Sequence, residues 1–242
     1  SAVPPTTDLE ARTTAFNTVR VRRSGERVDM DVEGATFATW HPRHLMTGFS
    51  WDALAAAALL RGGGPPKSVL LLGLGGGTVT RQLRALLPEA RIAGVEIAAG
   101  IVELARRHMH LDDQRVEAYV EDAYEFLART GDKWDAILDD LFLTGPTDVV
   151  RTRVVEGKTM SLLLSRLAEG GVVVANVITD DGEHRVVRQA TRAAFVDTFA
   201  SVRAVVPPRG LNEIIVGGAK TRTASVLEAY VGRFAEAHDQ RR

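Results

Sequence analysis

One stretch of the sequence limits the fold more than any other, because an apolar run breaks into a cluster of glycines before a helical pattern begins. Residues 68–72 read Ser-Val-Leu-Leu-Leu, residues 73–77 read Gly-Leu-Gly-Gly-Gly, and the helical pattern starts at Val79. This order is typical of a strand, a tight loop and a helix. Glycine permits positive φ and a close approach of ligand to backbone, and a helix start presents free N–H groups. The stretch therefore predicts a loop that holds a dinucleotide, a phosphate or S-adenosylmethionine.

The glycine spacing alone does not separate these ligands. Gly73 and Gly75 give Gly-x-Gly, but Thr78 stands where the last glycine of Gly-x-Gly-x-x-Gly would fall. No Gly-Lys-Ser/Thr follows, so the stretch is not a P-loop. A tight strand-to-helix turn without any ligand is the structural alternative.

Composition excludes several classes of function. The chain has 242 residues, enough for one large domain or two small ones, and its formal net charge of −1 gives no basic surface for nucleic acid. The absence of cysteine excludes disulfides, thiolate metal sites and cysteine nucleophiles. No apolar run approaches the roughly 18 residues of a membrane span. With no visible signal peptide, we expect a cytoplasmic protein without nucleic-acid or membrane partners, although a chain that opens at Ser1 could have been processed.

The N-terminal part alternates apolar and polar residues, as half-buried strands do. Strands predicted at residues 16–22, 27–32 and 36–40 are separated by turns and form a small antiparallel sheet. We therefore expect a flexible arm over residues 1–13, a small β-hairpin domain over residues 14–48 and the main domain over residues 49–242.

The main domain alternates strands with helices, and many of the strands are continuous apolar runs. This pattern predicts an α/β fold with a mainly parallel sheet and helices on both faces. Two final strands form a hairpin-like pair and make part of the sheet antiparallel. Helices are expected at residues 50–60 (with Ser50 as N-cap), 79–87, 100–108, 124–129, 152–167, 183–199 and 224–237, and strands at residues 68–72, 91–97, 116–120, 134–138, 172–178, 202–206 and 213–216.

Acidic residues follow three successive strands of this domain. Glu96 ends the second strand about 20 residues past the loop, where doubly wound folds place an acid on ribose hydroxyls. Asp122 follows the third strand, where it can accept from an adenine amino group, cap the next helix, or do both. Asp139 and Asp140 follow the fourth strand, and only one of two adjacent carboxylates is expected to face the ligand. The alternatives are an exposed glutamate for Glu96, and solvation and capping for the pair.

Residues 70–178 resemble the spermidine synthase family. That family places a glycine loop before a helix, then Val-Glu-Ile, Glu/Gly-Asp-Ala, Tyr-Asp-x-Ile-Ile-x-Asp and Pro-Gly-Gly, in this order. The corresponding segments here are residues 73–78, 95–97, 121–123, 134–140 and 169–171. The resemblance implies a class I methyltransferase-like (Rossmann-like) fold behind an N-terminal β-domain, an S-adenosylmethionine-type cofactor and a homodimer.

The departures from the family concern the acceptor. Asp140 falls on the aspartate that deprotonates the attacking amine, but Leu143 falls on the aspartate that holds the cationic polyamine. Family members also carry an aspartate inside the glycine loop, and residues 73–78 include none. The family also has a Tyr-His/Gln-Glu segment on the helix that precedes the glycine-loop strand, and Trp51 and Asp52 fall on this segment. Because a leucine cannot pair with an ammonium, the resemblance implies a divergent member whose pocket has lost polyamine contacts.

The sequence therefore favours an S-adenosylmethionine-dependent methyltransferase that acts on a small molecule with an apolar or aromatic part. The alternatives are an aminopropyltransferase that uses decarboxylated S-adenosylmethionine, a non-catalytic binding or scaffold protein, and a nicotinamide-dependent dehydrogenase. Either Asp140 or His41 is the expected base, His44 being a further possibility, and no metal is expected. The segment from Asp180 to His184 follows the fifth strand and is expected to start a capped helix, the alternatives being a place on the rim of the pocket or a metal site. The expected cofactor residues are Gly73, Gly75, Gly76, Gly77, Glu96, Ile97, Asp122, Ala123 and Asp139, and the expected acceptor residues are Trp51, Asp52, Phe142 and Leu143.

Overall fold

The chain folds into a small N-terminal sheet followed by a larger sheet with helices on both faces. The structure, a computed structural model, describes residues 2–144, 149–151, 155–180, 182 and 184–230. The predicted helix over residues 224–237 extends beyond this range. Its described part is a 3₁₀ turn, Ala224–Leu227, that leads into a helical segment.

The N-terminal sheet has four antiparallel strands in chain order: β1 (Thr6–Thr13), β2 (Thr18–Ser24), β3 (Arg27–Val32) and β4 (Ala35–Trp40). The three predicted strands are confirmed. The expectation of a flexible arm over residues 1–13 is wrong, because Thr6–Thr13 pairs with β2 along its whole length. This edge strand is mostly exposed and lacks an apolar alternation, so its extended form depends on hydrogen bonds to its neighbour.

The larger sheet has seven strands in the order β12-β13-β11-β8-β5-β6-β7. Of these seven strands, β13 alone runs opposite to the other six, which confirms the predicted hairpin-like pair at the end of a mainly parallel sheet. The chain leaves β5 toward β6 on one side and returns to β8 on the other, so the strand order reverses beside β5. The bounds are β5 Ser68–Leu72, β6 Arg91–Glu96, β7 Glu117–Val120, β8 Trp134–Asp139, β11 Leu167–Ile178, β12 Ser201–Val205 and β13 Asn212–Gly218.

Helices cover both faces because successive residues of each central strand point to opposite sides. The helices are α1 Ser50–Ala57, α2 Thr78–Leu86, α3 Ala99–His108, α4 Ala123–Arg129, α5 Gly157–Ser165 and α6 His184–Thr198. Val69 and Leu71 pack with the helices α1 to α3 and the N-terminal sheet, whereas Leu70 and Leu72 pack with α4 to α6. The predicted fold class is therefore confirmed.

Three local predictions differ from the structure. Phe49, not Ser50, is the residue before α1, and no side chain caps that helix. The helix predicted to end at residue 167 ends at Ser165, and residue 167 instead begins β11, which pairs with Trp134 and is interrupted by a shift in register. Between the strand predicted at residues 134–138 and that helix, where no strand is predicted, the chain forms a short antiparallel pair, β9 (Phe142–Thr144) and β10 (Val149–Arg151).

Across the described residues, every helix is too short or too polar to traverse a lipid bilayer.

Candidate active site

A cavity of about 610 Å³ opens at the carboxyl ends of the parallel strands, beside the point where the strand order reverses. Open α/β sheets bind ligands at this position, because the loops on either side of the reversal diverge and leave a crevice. The segments that follow β5, β6, β7 and β8 form one part of the wall. The end of β11, the residues before β13, the first turn of α1 and the N-terminal sheet form the rest.

The first two glycines of the loop after β5 line this cavity. Gly73 has φ +93°, and a Cβ added there would lie 2.4 Å from the carbonyl oxygen of Asp140. Gly75 has φ +54°, and its N–H donates to Glu96 Oε2 at 3.0 Å. The clash at Gly73 excludes a side chain, and the positive φ of Gly75 disfavours one, so the loop presents bare backbone to the cavity.

The last two glycines, also predicted to bind cofactor, do not line the cavity. A Cβ on Gly76 would lie 2.4 Å from the Ala38 Cβ, and one on Gly77 would lie 2.8 Å from Leu111 Cδ1. Gly76 therefore lets the loop pack against strand β4. Gly77, at φ +84°, lets α2 start against the 3₁₀ turn that contains Leu111. Packing thus accounts for the absence of a side chain at Gly76 and Gly77, and neither glycine is part of the described cavity lining.

Thr78 fastens the same loop to the N-terminal sheet. Its hydroxyl accepts from the Thr39 N–H at 2.9 Å and donates to the Thr39 carbonyl at 3.1 Å. Two hydrogen bonds thus hold the end of the glycine loop against strand β4, and the position of this part of the cavity wall depends on both sheets.

Glu96 stands at the carboxyl end of β6, as predicted, and faces the cavity with Ile97. Its carboxylate accepts from the N–H groups of Gly75 and Ala98, at 3.0 and 3.2 Å. Burial raises the pKa of Glu96, and these backbone hydrogen bonds oppose the rise. An acid held in this way is well placed to accept from ribose hydroxyls.

Asp122 caps α4 and lines the cavity, so both predicted roles are compatible. Its Oδ1 accepts from the N–H groups of Tyr124 and Glu125 at 2.8 and 3.0 Å. Ala123 is nearly buried beside it and presents only a methyl group. This combination leaves space for a flat ring next to a carboxylate.

Of the two acids after β8, Asp140 lines the cavity and Asp139 does not. Asp139 is fully buried at the end of β8, between Leu72 and Ala175 in the neighbouring strands. Its predicted cofactor role is not supported, because successive side chains of a strand point to opposite faces. Asp140 Oδ1 accepts from Asn176 Nδ2 at 2.8 Å.

The predicted acceptor residues divide into two groups. Trp51 and Phe142 line the cavity. Asp52 does not: its carboxylate accepts from the Thr47 and Gly48 N–H groups at 2.7–3.0 Å and from Gln82 Nε2 at 2.7 Å, so it holds the loop before α1. The Leu143 side chain lies outside the described part of the structure.

His41, the second expected base, does not line the cavity either. Its ring lies against that of His44, with 4.3 Å between centroids, and its Nδ1 accepts from the Arg43 N–H. Burial lowers the pKa of His41, and the neighbouring His44 and Arg43 lower it further. The connector before α1 therefore turns both histidines away from the ligand space.

Sequence reasoning missed a large part of the wall. Asn176 and Asn212 line the cavity beside Asp140, and a lone asparagine inside the apolar run of β11 was the available signal for the first. Asp180, for which rimming the pocket was one expectation, does line the cavity, and it accepts a hydrogen bond from His184 at 2.8 Å, which lowers the pKa of Asp180. Nothing in the pattern of the N-terminal strands marked the wall residues that they supply, which are Asn17, Thr36 and Phe37.

All charged side chains in the described lining of the cavity are acidic. Among the described residues that line the cavity, five carry carboxylates and none is a lysine, arginine or histidine. Glu121 is paired with Arg129, which lowers its pKa, and Asp180 is paired with His184. No group of three His, Cys, Asp or Glu side chains within the described ranges is arranged to hold a metal ion. The five carboxylates belong to Glu96, Glu121, Asp122, Asp140 and Asp180.

The sheet order, the glycine loop and the acids at successive strand ends define the class I methyltransferase-like fold. The fold is also that of two solved structures, each 20% identical to this chain. A probable spermidine synthase from Corynebacterium glutamicum has a TM-score of 0.72, with 86% of this chain and 79% of that chain covered. Human Methyltransferase-like protein 13 in complex with SAH has a TM-score of 0.63, with 80% and 93% covered.

The Spermine/spermidine synthase domain model matches residues 54–212, and the chain belongs to this family. A probable polyamine aminopropyl transferase of Bifidobacterium longum is 30% identical over 194 residues, which cover 77% of this chain and 40% of that protein. An eEF1A lysine and N-terminal methyltransferase homolog of Drosophila melanogaster is 38% identical over 128 residues, 51% of this chain and 18% of that protein. The chain thus spans less than half the length of these two curated relatives. One of them is named as an aminopropyl transferase and the other as a methyltransferase homolog.

Proposed function

We propose that this protein transfers a 3-aminopropyl group from decarboxylated S-adenosylmethionine to an amine acceptor. The observation that carries the proposal is the charge of the cavity, whose described lining has five carboxylates and no cationic side chain. Such a wall favours ligands that bring positive charge and no negative charge. The sequence alone favoured methyl transfer, and the charge of the lining changes that preference.

The two possible donors differ at the tail of the cofactor. Both carry a sulfonium and an ammonium, but only S-adenosylmethionine also carries a carboxylate. Two unit charges 4 Å apart near a protein surface interact by about 4 kcal/mol at an effective dielectric constant of 20. A tail carboxylate in the cavity would meet the carboxylate of Asp140 and no compensating cation in the described lining, whereas the decarboxylated donor has no such group to be repelled. The names of several relatives, which include polyamine aminopropyltransferases, agree with this choice.

The residues at the strand ends would hold the adenosyl part of the donor. Glu96 is placed for the ribose hydroxyls, Asp122 and Ala123 for the adenine, and the backbone of Gly73 and Gly75 for the sulfonium end. The donor supplies an activated carbon, so the protein mainly has to bind, orient and exclude water. This assignment follows the predicted positions, except that Gly76, Gly77 and Asp139 are not part of it.

The chemical step is an in-line displacement. The lone pair of the acceptor nitrogen forms a bond to the aminopropyl carbon, and the carbon–sulfur bond breaks with its electrons going to sulfur. The products are a neutral thioether, 5′-methylthioadenosine, and an aminopropylated ammonium. The acceptor enters as an ammonium, and one proton passes from its nitrogen to Asp140 before the attack, which frees the lone pair. Asp140 directly follows β8 and lines the cavity.

The acceptor is held between polar and apolar surfaces. Trp51 and Phe142 line the cavity and give its wall aromatic area, with Asp180 as a second carboxylate in the lining. We propose a small-molecule amine whose carbon chain lies along the aromatic wall. The homodimer and the boundary between the two domains at residue 48 remain predictions.

Methyl transfer from S-adenosylmethionine is the second candidate. Two observations favour it: the aromatic wall at Trp51 and Phe142, and the 38% identity to a relative named as a methyltransferase. In that case the released nucleoside is S-adenosylhomocysteine instead of 5′-methylthioadenosine.

The test measures the donor and the product together. Calorimetry with each donor is expected to show binding at least about tenfold tighter for decarboxylated S-adenosylmethionine, equivalent to about 1.4 kcal/mol. Each donor is incubated with putrescine and a panel of aralkyl amines, and the products are read by mass spectrometry. Decarboxylated S-adenosylmethionine is expected to give 5′-methylthioadenosine and an aminopropylated amine, and S-adenosylmethionine is expected to give no transfer product. Release of S-adenosylhomocysteine would select methyl transfer. Tight binding without either product would select a non-catalytic binding protein.

A further inference from the structure

Three polar side chains form a chain of hydrogen bonds along the floor of the cavity. Asn176 Nδ2 donates to Asp140 Oδ1 at 2.8 Å, and Asn212 Nδ2 donates to Asn176 Oδ1 at 2.9 Å. The three residues belong to different segments of the sheet: Asp140 follows β8, Asn176 lies near the end of β11 and Asn212 begins β13. All three line the cavity.

The carboxylate of Asp140 determines which atoms donate and which accept in this series of hydrogen bonds. An ionised carboxylate can only accept, so Asn176 must turn its NH₂ group toward Asp140. The carbonyl oxygen of the same amide then faces Asn212, which meets it with an NH₂ group. Both ends of the Asn176 amide are therefore fixed by partners, and the amide cannot flip without losing two hydrogen bonds.

A buried amide at position 176 would destabilise the fold if it lacked hydrogen-bond partners. It is 5% exposed and interrupts an apolar strand, with Val174 and Ala175 before it and Val177 after it. A buried amide left without partners costs about 1–3 kcal/mol. The register places Asn176 opposite Ile214 of β13 and Ala175 opposite Asp139 of β8, so the strand frame itself points the amide at the segment that carries Asp140.

We propose that Asn176, held by Asn212, is a positioning residue that orients the Asp140 carboxylate toward the acceptor nitrogen. This inference rests on the proposed transfer to an amine. Asp140 lies outside the regular strand, so its side chain needs a fixed partner to keep one orientation. The amide supplies that partner from the rigid centre of the sheet, and it donates to the form of Asp140 that accepts the proton.

The carboxylates around Asp140 make the amide donor more important. Asp139 precedes it in the chain, and Glu96, Glu121, Asp122 and Asp180 share the cavity with it. Among these acids, Asn176 supplies Asp140 with a hydrogen-bond donor that carries no charge. It therefore holds the carboxylate without adding a cation that would repel an ammonium acceptor.

Three variants test the proposal, each made in the full chain. Asn176→Asp keeps the shape but replaces the donor with an acceptor, and Asn212→Ala removes the group that fixes the amide. Thr191→Val is the control, because Thr191 is fully buried on α6 behind the same strands and does not line the cavity. Crystal structures of the variants report the orientation of Asp140, calorimetry reports donor binding, and steady-state kinetics separate kcat from KM.

In Asn176→Asp, kcat is expected to fall about 100-fold, within the range that a general base contributes. In Asn212→Ala, a fall of about tenfold is expected, because the amide remains but is no longer fixed. Donor affinity should stay within about threefold, Asp140 should leave its wild-type orientation in both variants, and the control should match the wild type. A merely structural role would lower thermal stability without this selective loss of kcat.

Two results would overturn the inference: Asp140 in its wild-type orientation in both variants, or wild-type kcat in Asn176→Asp. If the wild type transfers nothing to any amine while Asp140 still rotates in the variants, the proposed function fails and the positioning role stands. If Asn176→Asp does not fold, Asn212→Ala decides by the same two measurements.

Discussion

The contact between the glycine loop and the N-terminal sheet gives a prediction whose size follows from the geometry. In Gly76→Ala, the new methyl group would lie 2.4 Å from the Ala38 Cβ and 2.9 Å from Met109 Sδ. Carbon atoms in contact are normally about 3.5–4.0 Å apart, so the loop and strand β4 must separate by roughly 1 Å. The flexible Met109 side chain can move, but the Cβ of Ala38 is fixed to its strand.

The expected cost combines two opposing effects. A Gly→Ala change at an unstrained site stabilises a protein by about 0.4–1 kcal/mol, because it restricts the unfolded chain. Overpacking a tight contact costs about 1–3 kcal/mol. The net loss expected for Gly76→Ala is about 1–2 kcal/mol, and since each kcal/mol moves Tm by about 2–4 °C in chains of this size, Tm should fall by about 2–8 °C.

Calorimetric melting of four variants measures this effect. Gly131→Ala is the matched control, since Gly131 is exposed and an added Cβ meets nothing within 4 Å. It should melt at or slightly above the wild-type temperature. Ala38→Gly alone should cost about 0.5–1 kcal/mol as a glycine in a strand. The double variant Ala38→Gly/Gly76→Ala should be more stable than the sum of the single changes by about 1 kcal/mol, because the clash is gone.

Donor binding gives a second measurement on the same proteins. A loop pushed away from β4 moves Gly75 relative to Glu96, so Gly76→Ala should also weaken donor binding, and the double variant should recover part of it. The reasoning is refuted if Gly76→Ala melts like Gly131→Ala, or if the two changes at residues 38 and 76 are simply additive.

Three further predictions concern residues outside the cavity. Hydrogen bonds from His108 and Arg107 lower the pKa of Glu10 from 4.5 to about 2, so its stabilising effect is present above pH 4.5 and is lost as pH falls through 2. Glu10→Gln should lower Tm at pH 7 and flatten the decline of Tm with pH below 4.5, and an unchanged pH profile would contradict this. Asp52→Ala should cost about 1–3 kcal/mol in a urea titration, because several N–H donors lose their acceptor, while the acceptor KM stays within about twofold. A large rise in that KM would contradict this prediction and indicate that Asp52 contacts the acceptor. His41→Asn should retain kcat within about twofold, and a loss of more than about 100-fold would restore His41 as a base.

The sequence predicted the elements that depend on local periodicity. The strand at residues 68–72 and the helix after it were recognisable, because an apolar run, glycines and an amphipathic pattern occur in that order. Glu96, Asp122 and Asp140 could be placed together because the carboxyl ends of parallel strands meet at one edge of the sheet. The antiparallel final pair was recognisable from two short apolar runs around a turn.

The errors arose where a residue's partner is distant in the sequence. Strand β1 has few apolar residues, and only its pairing with β2 makes it extended. Gly76 and Gly77 looked like ligand contacts, because a sequence does not show that Ala38 and Leu111 pack behind the loop. The amide of Asn176 could not be connected to Asp140, because the two are 36 residues apart and meet only through the register of β11 with β8.

The double sheet has a consequence for how relatives of this protein are compared. The family match begins at Leu54, inside α1, and so omits the four-stranded sheet and Trp51. Those omitted segments supply Phe37 and other parts of the wall. Two proteins can therefore agree closely over the matched segment and still differ in the part of the cavity wall that the upstream residues supply. Comparing the cavity across this family requires alignments that start at strand β1, since part of the wall lies upstream of the segment by which the family is recognised.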